Sequence, residues 1–132
     1  MTEPARICVI DDDVFVCQSL ARGLREAGYE ASVAPGAVAG LDFVGRNGAD
    51  AIITDMMMPG TDGAELIAQA RAAWPSMIII AISGAGVIAG RDVAALAKER
   101  GADAVLIKPF GNQELRALVA RLLADRNQKL TT

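Results

Sequence analysis

The sequence contains no histidine among its 132 residues. This absence excludes a Ser-His catalytic triad and any metal site that needs imidazole ligands. It also excludes a role as the phosphohistidine carrier of a phosphorelay, since that role requires a histidine side chain. Any phosphoryl group that the chain carries must therefore be attached to another residue.

Basic charge, long apolar runs and cysteine are also scarce. The 13 Lys and Arg residues are outnumbered by 16 Asp and Glu residues, so the chain lacks the basic surface expected for direct nucleic-acid binding. No apolar run is long enough to span a bilayer and no secretory signal is recognisable, so we expect no membrane association and a cytoplasmic location. Cys8 and Cys17 fall in apolar patterns, which favour burial over redox chemistry.

The apolar content is sufficient for one folded domain. Apolar residues make up 52% of the sequence and are spread along a length typical of a single domain. After Leu123 no core-forming pattern continues. We therefore expect a domain over residues 1–124 and a polar C-terminal tail over residues 125–132.

Short apolar segments alternate with helical patterns along the chain. We predict strands at residues 6–10, 30–33, 51–54, 77–82 and 104–107, the second of them at a sheet edge. The predicted helices include one ending at Gly28, one over residues 37–46 weakened by Gly40, and one over residues 62–73 capped by Asp62. Five strands alternating with five helices indicate an α/β fold, with a doubly wound parallel sheet and helices on both faces.

Carboxylates follow two of the predicted strands. Asp11, Asp12 and Asp13 come directly after the first strand, and Asp55 comes after the third. Ligands of doubly wound sheets bind beyond the carboxyl ends of the strands, so we expect these side chains to meet at one edge. Adjacent carboxylates repel unless a cation neutralises them, and such oxygen ligands favour Mg2+. A carboxylate facing that metal can attack phosphorus and form an aspartyl phosphate.

Ser83 and Lys108 follow the fourth and fifth strands at the same edge. A hydroxyl and a lysine there would complete a phosphoryl-transfer site, which needs mainly position and compensating charge. Each residue also has a structural interpretation: the aspartates cap a helix, Asp55 and Ser83 belong to turns, and Lys108 is a surface lysine. The functional interpretation is favoured because the structural one requires unrelated coincidences at four strand ends.

Four segments carry a resemblance to a known family. They are VIDDD at residues 9–13, IITDMMMPGTDG at residues 52–63, AISG at residues 81–84 and LIKPF at residues 106–110. With them, the chain from Arg6 to about Leu123 resembles a response-regulator receiver domain of two-component signalling. The resemblance implies a flavodoxin-like sheet with strand order 2-1-3-4-5. It also implies a signalling domain that assists its own phosphorylation and dephosphorylation, rather than an enzyme.

The resemblance gives each residue at that edge a role. Asp55 would be the phosphoacceptor, and Mg2+ would be held by Asp55, by the acid pair Asp11 and Asp12, and by the backbone carbonyl of Met57. Lys108, preceding a cis Lys108-Pro109 bond, would contact the phosphoryl oxygens. Ser83 would move to hydrogen-bond them and so report that the site is filled.

The resemblance implies two kinds of partner, a donor of the phosphoryl group and a target that responds to it. The donor would be a histidine kinase or a histidine phosphotransfer protein. The filled site would switch the surface of the fourth helix, fifth strand and fifth helix, which would bind a downstream protein target or an output domain. The chain would be a stand-alone regulator, a phosphorelay intermediate or the receiver part of a longer protein.

Two features depart from the family pattern. Val105 stands where the family often has an aromatic residue whose rotation accompanies activation, so the switch would rest on Ser83 and the loop that follows it. That loop, residues 84–90, is glycine-rich, which relaxes backbone restrictions. It is either a connector or a mobile segment whose Val87 and Ile88 pack against a partner.

Two other functions fit part of the pattern. A haloacid dehalogenase-like phosphatase would use Asp11 as its nucleophile, but Pro109, Phe110 and Gly111 stand where such enzymes place a second acidic motif after the lysine. A flavodoxin-like module that binds a phosphate ligand without covalent chemistry would need a glycine- or hydroxyl-rich turn after the first strand. The three aspartates at that turn would instead repel an anion unless a metal intervenes.

Overall fold

Strands and helices alternate along the chain in a computed structural model, which describes residues 3–58, 61–84, 87–88 and 91–131. The strands of the main sheet are β1 (Arg6–Ile10), β2 (Glu30–Ala34), β3 (Ala51–Asp55), β4 (Ile78–Ser83) and β5 (Ala104–Ile107). The helices of the described residues are α1 (Val14–Glu26), α2 (Ala37–Asn47), α3 (Gly63–Ala73), α4 (Val93–Arg100) and α5 (Asn112–Thr131). Two short antiparallel pairs lie outside this sheet, Met57–Met58 with Thr61–Asp62 and Val87–Ile88 with Arg91–Asp92.

The main sheet is parallel and has the order β2-β1-β3-β4-β5. This confirms the predicted fold class, the strand order and the edge position of β2. Every residue of β3 and β4 is buried, as expected for strands covered by helices on both faces. Asp55 pairs with Ile82 and Ser83 pairs with Ile107, so the final residues of neighbouring strands meet at one edge of the sheet.

Two apolar clusters join the sheet to its helices. On one face, α1 and α5 contribute Leu24 and Leu115. On the other face, α2, α3 and α4 contribute Val44, Ile67 and Leu96. The burial of both faces fixes the register of each central strand, because a shift by one residue would exchange the two faces.

Cys8 and Cys17 are free thiols, one in each cluster. Burial raises the pKa of Cys8, and burial together with the nearby charge of Asp11 raises the pKa of Cys17 to about 11. A thiol reacts as its thiolate, so both side chains are inert core residues, as the sequence predicts.

Several element ends differ slightly from the prediction. The predicted end of α1 is confirmed, since Gly28 has a φ of 97°, the left-handed conformation that favours glycine. β4 starts and ends one residue later than predicted, so Ser83 belongs to the strand. α3 starts at Gly63, and the capping role predicted for Asp62 concerns a side chain outside the described residues. Gly40 does not interrupt α2, and the side chain of Ile10 occupies the space where a Cβ would lie.

The C-terminal segment, which the sequence predicts to be a polar tail, is helical. α5 continues to Thr131. Arg126 attaches this segment to the start of the sheet, donating one hydrogen bond to the Asp50 carbonyl and one to its carboxylate, each of 3.0 Å. Although α5 is 20 residues long, no helix within the described ranges is long and apolar enough to cross a membrane.

Candidate functional site

The predicted polar residues converge at the carboxyl edge of the sheet. Asp11 follows β1, Asp55 ends β3, Ser83 ends β4 and Lys108 follows β5. Asp11, Asp55 and Ser83 are all buried, with 2%, 7% and 1% of their surface exposed. Because four strands end at this edge, residues far apart in the sequence form a single site there.

Asp11, Asp12 and Asp55 form an acidic cluster. Each offers one carboxylate oxygen, and these oxygens lie within 4.8 Å of one another. Burial, helped by the negative charge of Asp55, raises the pKa of Asp11 to about 6, although the hydrogen bond from the Asp13 N–H acts to lower it. The charged form of Asp11 is therefore disfavoured at this position unless a positive charge compensates it.

One buried oxygen of the cluster has no hydrogen-bond partner within the described part of the chain. Asp11 Oδ1 accepts a hydrogen bond of 3.0 Å from the backbone N–H of Asp13. The other oxygen, Asp11 Oδ2, is buried and has no partner among the described residues. Buried polar atoms are normally satisfied, so an oxygen of this kind beside two further carboxylates fits a hard divalent cation such as Mg2+.

Asp13 has a different function from its two neighbours. Its Oδ1 accepts hydrogen bonds from the N–H groups of Phe15 at 3.0 Å and Val16 at 3.2 Å, which caps the start of α1. Capping and metal binding were alternatives for all three aspartates in the sequence. The structure assigns capping to Asp13 and leaves Asp11 and Asp12 in the acidic cluster.

Asp55 is held by contacts to both of its carboxylate oxygens. Its Oδ1 accepts a hydrogen bond of 3.0 Å from the N–H of Met57, and its Oδ2 lies 3.5 Å from Lys108 Nζ. The lysine is thus paired with Asp55, not with Asp11. Asp55, at the end of β3, thus lies beside Asp11 and Asp12 and is also paired with a cationic side chain.

Lys108 and Ser83 are brought together by the pairing of their strands. The N–H of Lys108 donates a hydrogen bond of 2.8 Å to the carbonyl of Ser83, and the Lys108-Pro109 peptide bond is cis, as expected. The nearby Val105 is half-buried and packs against the cluster under α2, α3 and α4. For the loop at residues 84–90, the side chains of Val87 and Ile88 lie outside the described residues.

Gly63 is a site-shaping residue that the sequence pattern did not single out. A Cβ at this position would lie 2.6 Å from the Cα of Met56 and 2.8 Å from the carbonyl oxygen of Asp55. These are backbone atoms, so they cannot rotate away as a side chain could. The start of α3 can therefore rest against the turn that follows Asp55 only because residue 63 is glycine.

Thr54 is a second residue without a predicted role. It is fully buried on β3, and its hydroxyl donates a hydrogen bond of 3.1 Å to the carbonyl of Asp55. Its neighbours on the same face of the strand, Ile52 and Met56, belong to the apolar cluster under α2, α3 and α4. Threonine is common in strands because it is β-branched, so the sequence pattern does not indicate whether its hydroxyl has a role at this position.

Comparison with known proteins supports the resemblance over most of the chain. The family model for the response regulator receiver domain matches residues 7–120. A curated relative, the response regulator MprA of Mycobacterium sp. (strain KMS), is 39% identical over 120 residues, which cover 91% of this chain and 51% of the relative. The chain thus spans about half the length of the curated relatives it matches.

Solved receiver structures superpose along nearly the whole chain. A CheY-like response regulator receiver domain protein from Methanospirillum hungatei JF-1 has a TM-score of 0.88 at 25% identity and covers 96% of this chain and 98% of its own. A putative response regulator from Chloroflexus aurantiacus J-10-fl has a TM-score of 0.82 at 33% identity, covering 92% and 98% respectively. The similarity therefore includes the fold and the edge of the sheet that carries the acidic cluster.

Proposed function

The chain belongs to the response-regulator receiver domain family, and from this membership we propose that Asp55 accepts a phosphoryl group from a phosphohistidine donor in a Mg2+-dependent reaction. The observation that carries the proposal is the position of Asp55, whose carboxylate contacts both the acidic cluster and Lys108. A carboxylate oxygen of Asp55 would attack phosphorus while the P–N bond to the donor imidazole breaks.

The residues around Asp55 provide the charge that this transfer requires. Asp11, Asp12, Asp55 and the backbone carbonyl of Met57 would hold Mg2+, which would offset the negative charge of the incoming phosphoryl group. Lys108 would neutralise phosphoryl oxygens on the opposite side. The N–H of Met57 orients the attacking carboxylate by its hydrogen bond to Asp55 Oδ1.

Ser83 and Lys108 would pass the state of the site to the surface formed by α4, β5 and α5. Ser83 ends β4 and precedes α4, whereas Lys108 follows β5 and precedes α5. A ligand shifts a conformational equilibrium only by binding one state more tightly, so the phosphoryl group would have to bond the Ser83 hydroxyl better in one of the two states. The rearranged surface would bind a downstream protein or an output domain.

The proposed donor is a histidine kinase or a histidine phosphotransfer protein, and the proposed compartment is the cytoplasm. We propose no direct nucleic-acid contact by this chain, given its net charge of −3. In a protein as long as the curated relatives, the other half of the chain would supply the output function.

Phosphoryl labelling tests the proposal. Acetyl phosphate or a phosphorylated kinase, with Mg2+, should label the protein with one acid-stable, base-labile group, and Asp55→Asn should abolish labelling. Excess EDTA should block the reaction, because a phosphoryl group cannot approach the uncompensated carboxylates. Full labelling of Asp55→Asn together with loss of labelling in Asp11→Asn would favour the phosphatase alternative, and undiminished transfer in EDTA would contradict the metal assignment.

A further inference from the structure

We infer that Thr54 is a positioning residue, whose buried hydroxyl fixes the peptide between Asp55 and Met56 and thereby the orientation of the phosphoacceptor carboxylate. The functional part of this inference rests on the proposed function, whereas its structural part concerns only the turn after β3. Thr54 precedes Asp55 on β3 and would act through Asp55, without touching the phosphoryl group.

The peptide between Asp55 and Met56 is held from both sides. Its carbonyl oxygen accepts the hydrogen bond of 3.1 Å from Thr54 Oγ1. Its N–H belongs to Met56 and donates a hydrogen bond of 2.9 Å to the carbonyl of Ile82 on β4. A peptide unit is planar, so two contacts on opposite sides fix its rotation about the chain direction.

The orientation of this peptide determines where the Asp55 carboxylate points. The next backbone N–H, that of Met57, donates the hydrogen bond of 3.0 Å to Asp55 Oδ1. Rotation of the preceding peptide would therefore move the Met57 N–H away from the carboxylate. It would also move the Met57 carbonyl, which is a proposed metal ligand. The Thr54 hydroxyl thus helps to position both the Asp55 carboxylate and the Met57 carbonyl, because both depend on the turn after β3.

The surroundings of Thr54 make its hydroxyl an unusual choice for packing alone. The side chain is fully buried, and β3 pairs it with Ile10 on β1 and Ala81 on β4. A valine would have the same shape and would avoid burying a hydroxyl in an apolar environment. The hydroxyl lies where its hydrogen bond reaches the carbonyl of Asp55.

Two substitutions separate positioning from packing, because they affect the two properties in opposite ways. Thr54→Val keeps the volume and removes the hydroxyl, whereas Thr54→Ser keeps the hydroxyl and removes a buried methyl group. If Thr54 only fills space, Thr54→Ser should be the more damaging change in every measurement. If Thr54 positions the turn, Thr54→Ser should lower the melting temperature more, and Thr54→Val should perturb the site more.

The first measurement is hydrogen exchange of the Met57 amide in the metal-free protein. We expect exchange in Thr54→Val to be about three- to tenfold faster than in the wild type, which corresponds to the loss of one neutral hydrogen bond. Thr54→Ser should exchange at nearly the wild-type rate despite its lower melting temperature. Equal exchange in the wild type and Thr54→Val, or faster exchange in Thr54→Ser than in Thr54→Val, would overturn the inference.

The second measurement is the rate of labelling by acetyl phosphate with Mg2+. We expect Thr54→Val to be slowed by a similar factor of about three to ten, and Thr54→Ser to retain nearly the wild-type rate. A wild-type protein that is not labelled would refute the proposed function, while Met57 exchange would still decide whether Thr54 holds the turn. Normal labelling of Thr54→Val beside perturbed Met57 exchange would refute the functional part of the inference alone.

Discussion

Replacing Arg126 with Gln should weaken the attachment of the C-terminal part of α5 to the sheet. The guanidinium donates two hydrogen bonds of 3.0 Å to Asp50, one to its carbonyl and one to Oδ1. The two side chains are only 22% and 32% exposed. Hydrogen bonds to charged groups contribute about 1.5–3 kcal/mol when well buried, and allowing for partial exposure we expect a loss of about 1–2 kcal/mol.

The contact between Arg126 and Asp50 also predicts how the destabilisation by Arg126→Gln depends on pH. Burial alone would raise the pKa of Asp50. This effect is outweighed by the hydrogen bonds from the Arg6 N–H and from Arg126 and by the charges of both arginines, so the pKa lies below its ordinary value. A carboxyl group with a lowered pKa contributes stability above its unfolded-state pKa of about 3.9, and this contribution is lost as the pH falls through the folded-state value. The effect of Arg126→Gln should therefore be full at neutral pH and smaller at about pH 3.

Urea unfolding followed by circular dichroism at both pH values is a suitable assay. Arg46→Gln is a matched control, because Arg46 also pairs with an aspartate, Asp42, but the two side chains are 77% and 59% exposed. An exposed pair of this kind should contribute at most about 0.5 kcal/mol. The reasoning is refuted if Arg126→Gln destabilises the protein no more than Arg46→Gln, or if its effect is undiminished at low pH.

Three further predictions concern the site and its surroundings. Gly63→Ala should destabilise the protein by about 1–3 kcal/mol and slow phosphorylation, because the added Cβ overlaps the backbone of the Asp55 turn. Gly45→Ala, in open helical surroundings, should do neither, and equal urea midpoints for the two variants would contradict this prediction. Trp74 follows α3 near the opposite edge of the sheet, so Mg2+ should quench its fluorescence little, and a large saturating quench would show that this position is wrong. Ser83→Ala should still accept a phosphoryl group but transmit the change poorly, and an intact response of α4 amide shifts to beryllofluoride would contradict this role.

The arrangement of strands was predictable because the central strands are buried on both faces. Isoleucine-rich segments such as that ending at Ile82 have to lie between two helix layers, and their polar ends then fall at the carboxyl edge. Asp11, Asp55, Ser83 and Lys108 each stand at or directly after the end of such a strand, so the sequence predicts that they lie together. The local hydrophobic pattern was therefore sufficient to predict that these residues meet at one edge, whereas the strand order was taken from the family resemblance.

The parts that the sequence did not predict depend on contacts that the hydrophobic pattern does not specify. α5 continues past Leu123 without an apolar pattern, and Arg126 reaches Asp50, which lies 76 residues earlier in the chain. Gly63 is required by the backbone of a turn that its own neighbours do not specify. The separate role of Asp13 depends on the direction of one side chain at the start of α1, and composition alone cannot fix that direction.

The buried Asp11 Oδ2, which has no hydrogen-bond partner in the ranges that the structure describes, makes the folding equilibrium itself sensitive to cations. In the metal-free protein the acidic cluster opposes folding, because unfolding returns the buried carboxylates of Asp11 and Asp55 to water and separates them from the charge of Asp12. A cation that binds only the folded chain adds about 2.7 kcal/mol of stability at a concentration one hundred times its dissociation constant. The acidic cluster thus lowers the stability of the metal-free domain, and a bound cation would restore it. The free energy of unfolding should therefore rise and fall with the divalent ion concentration.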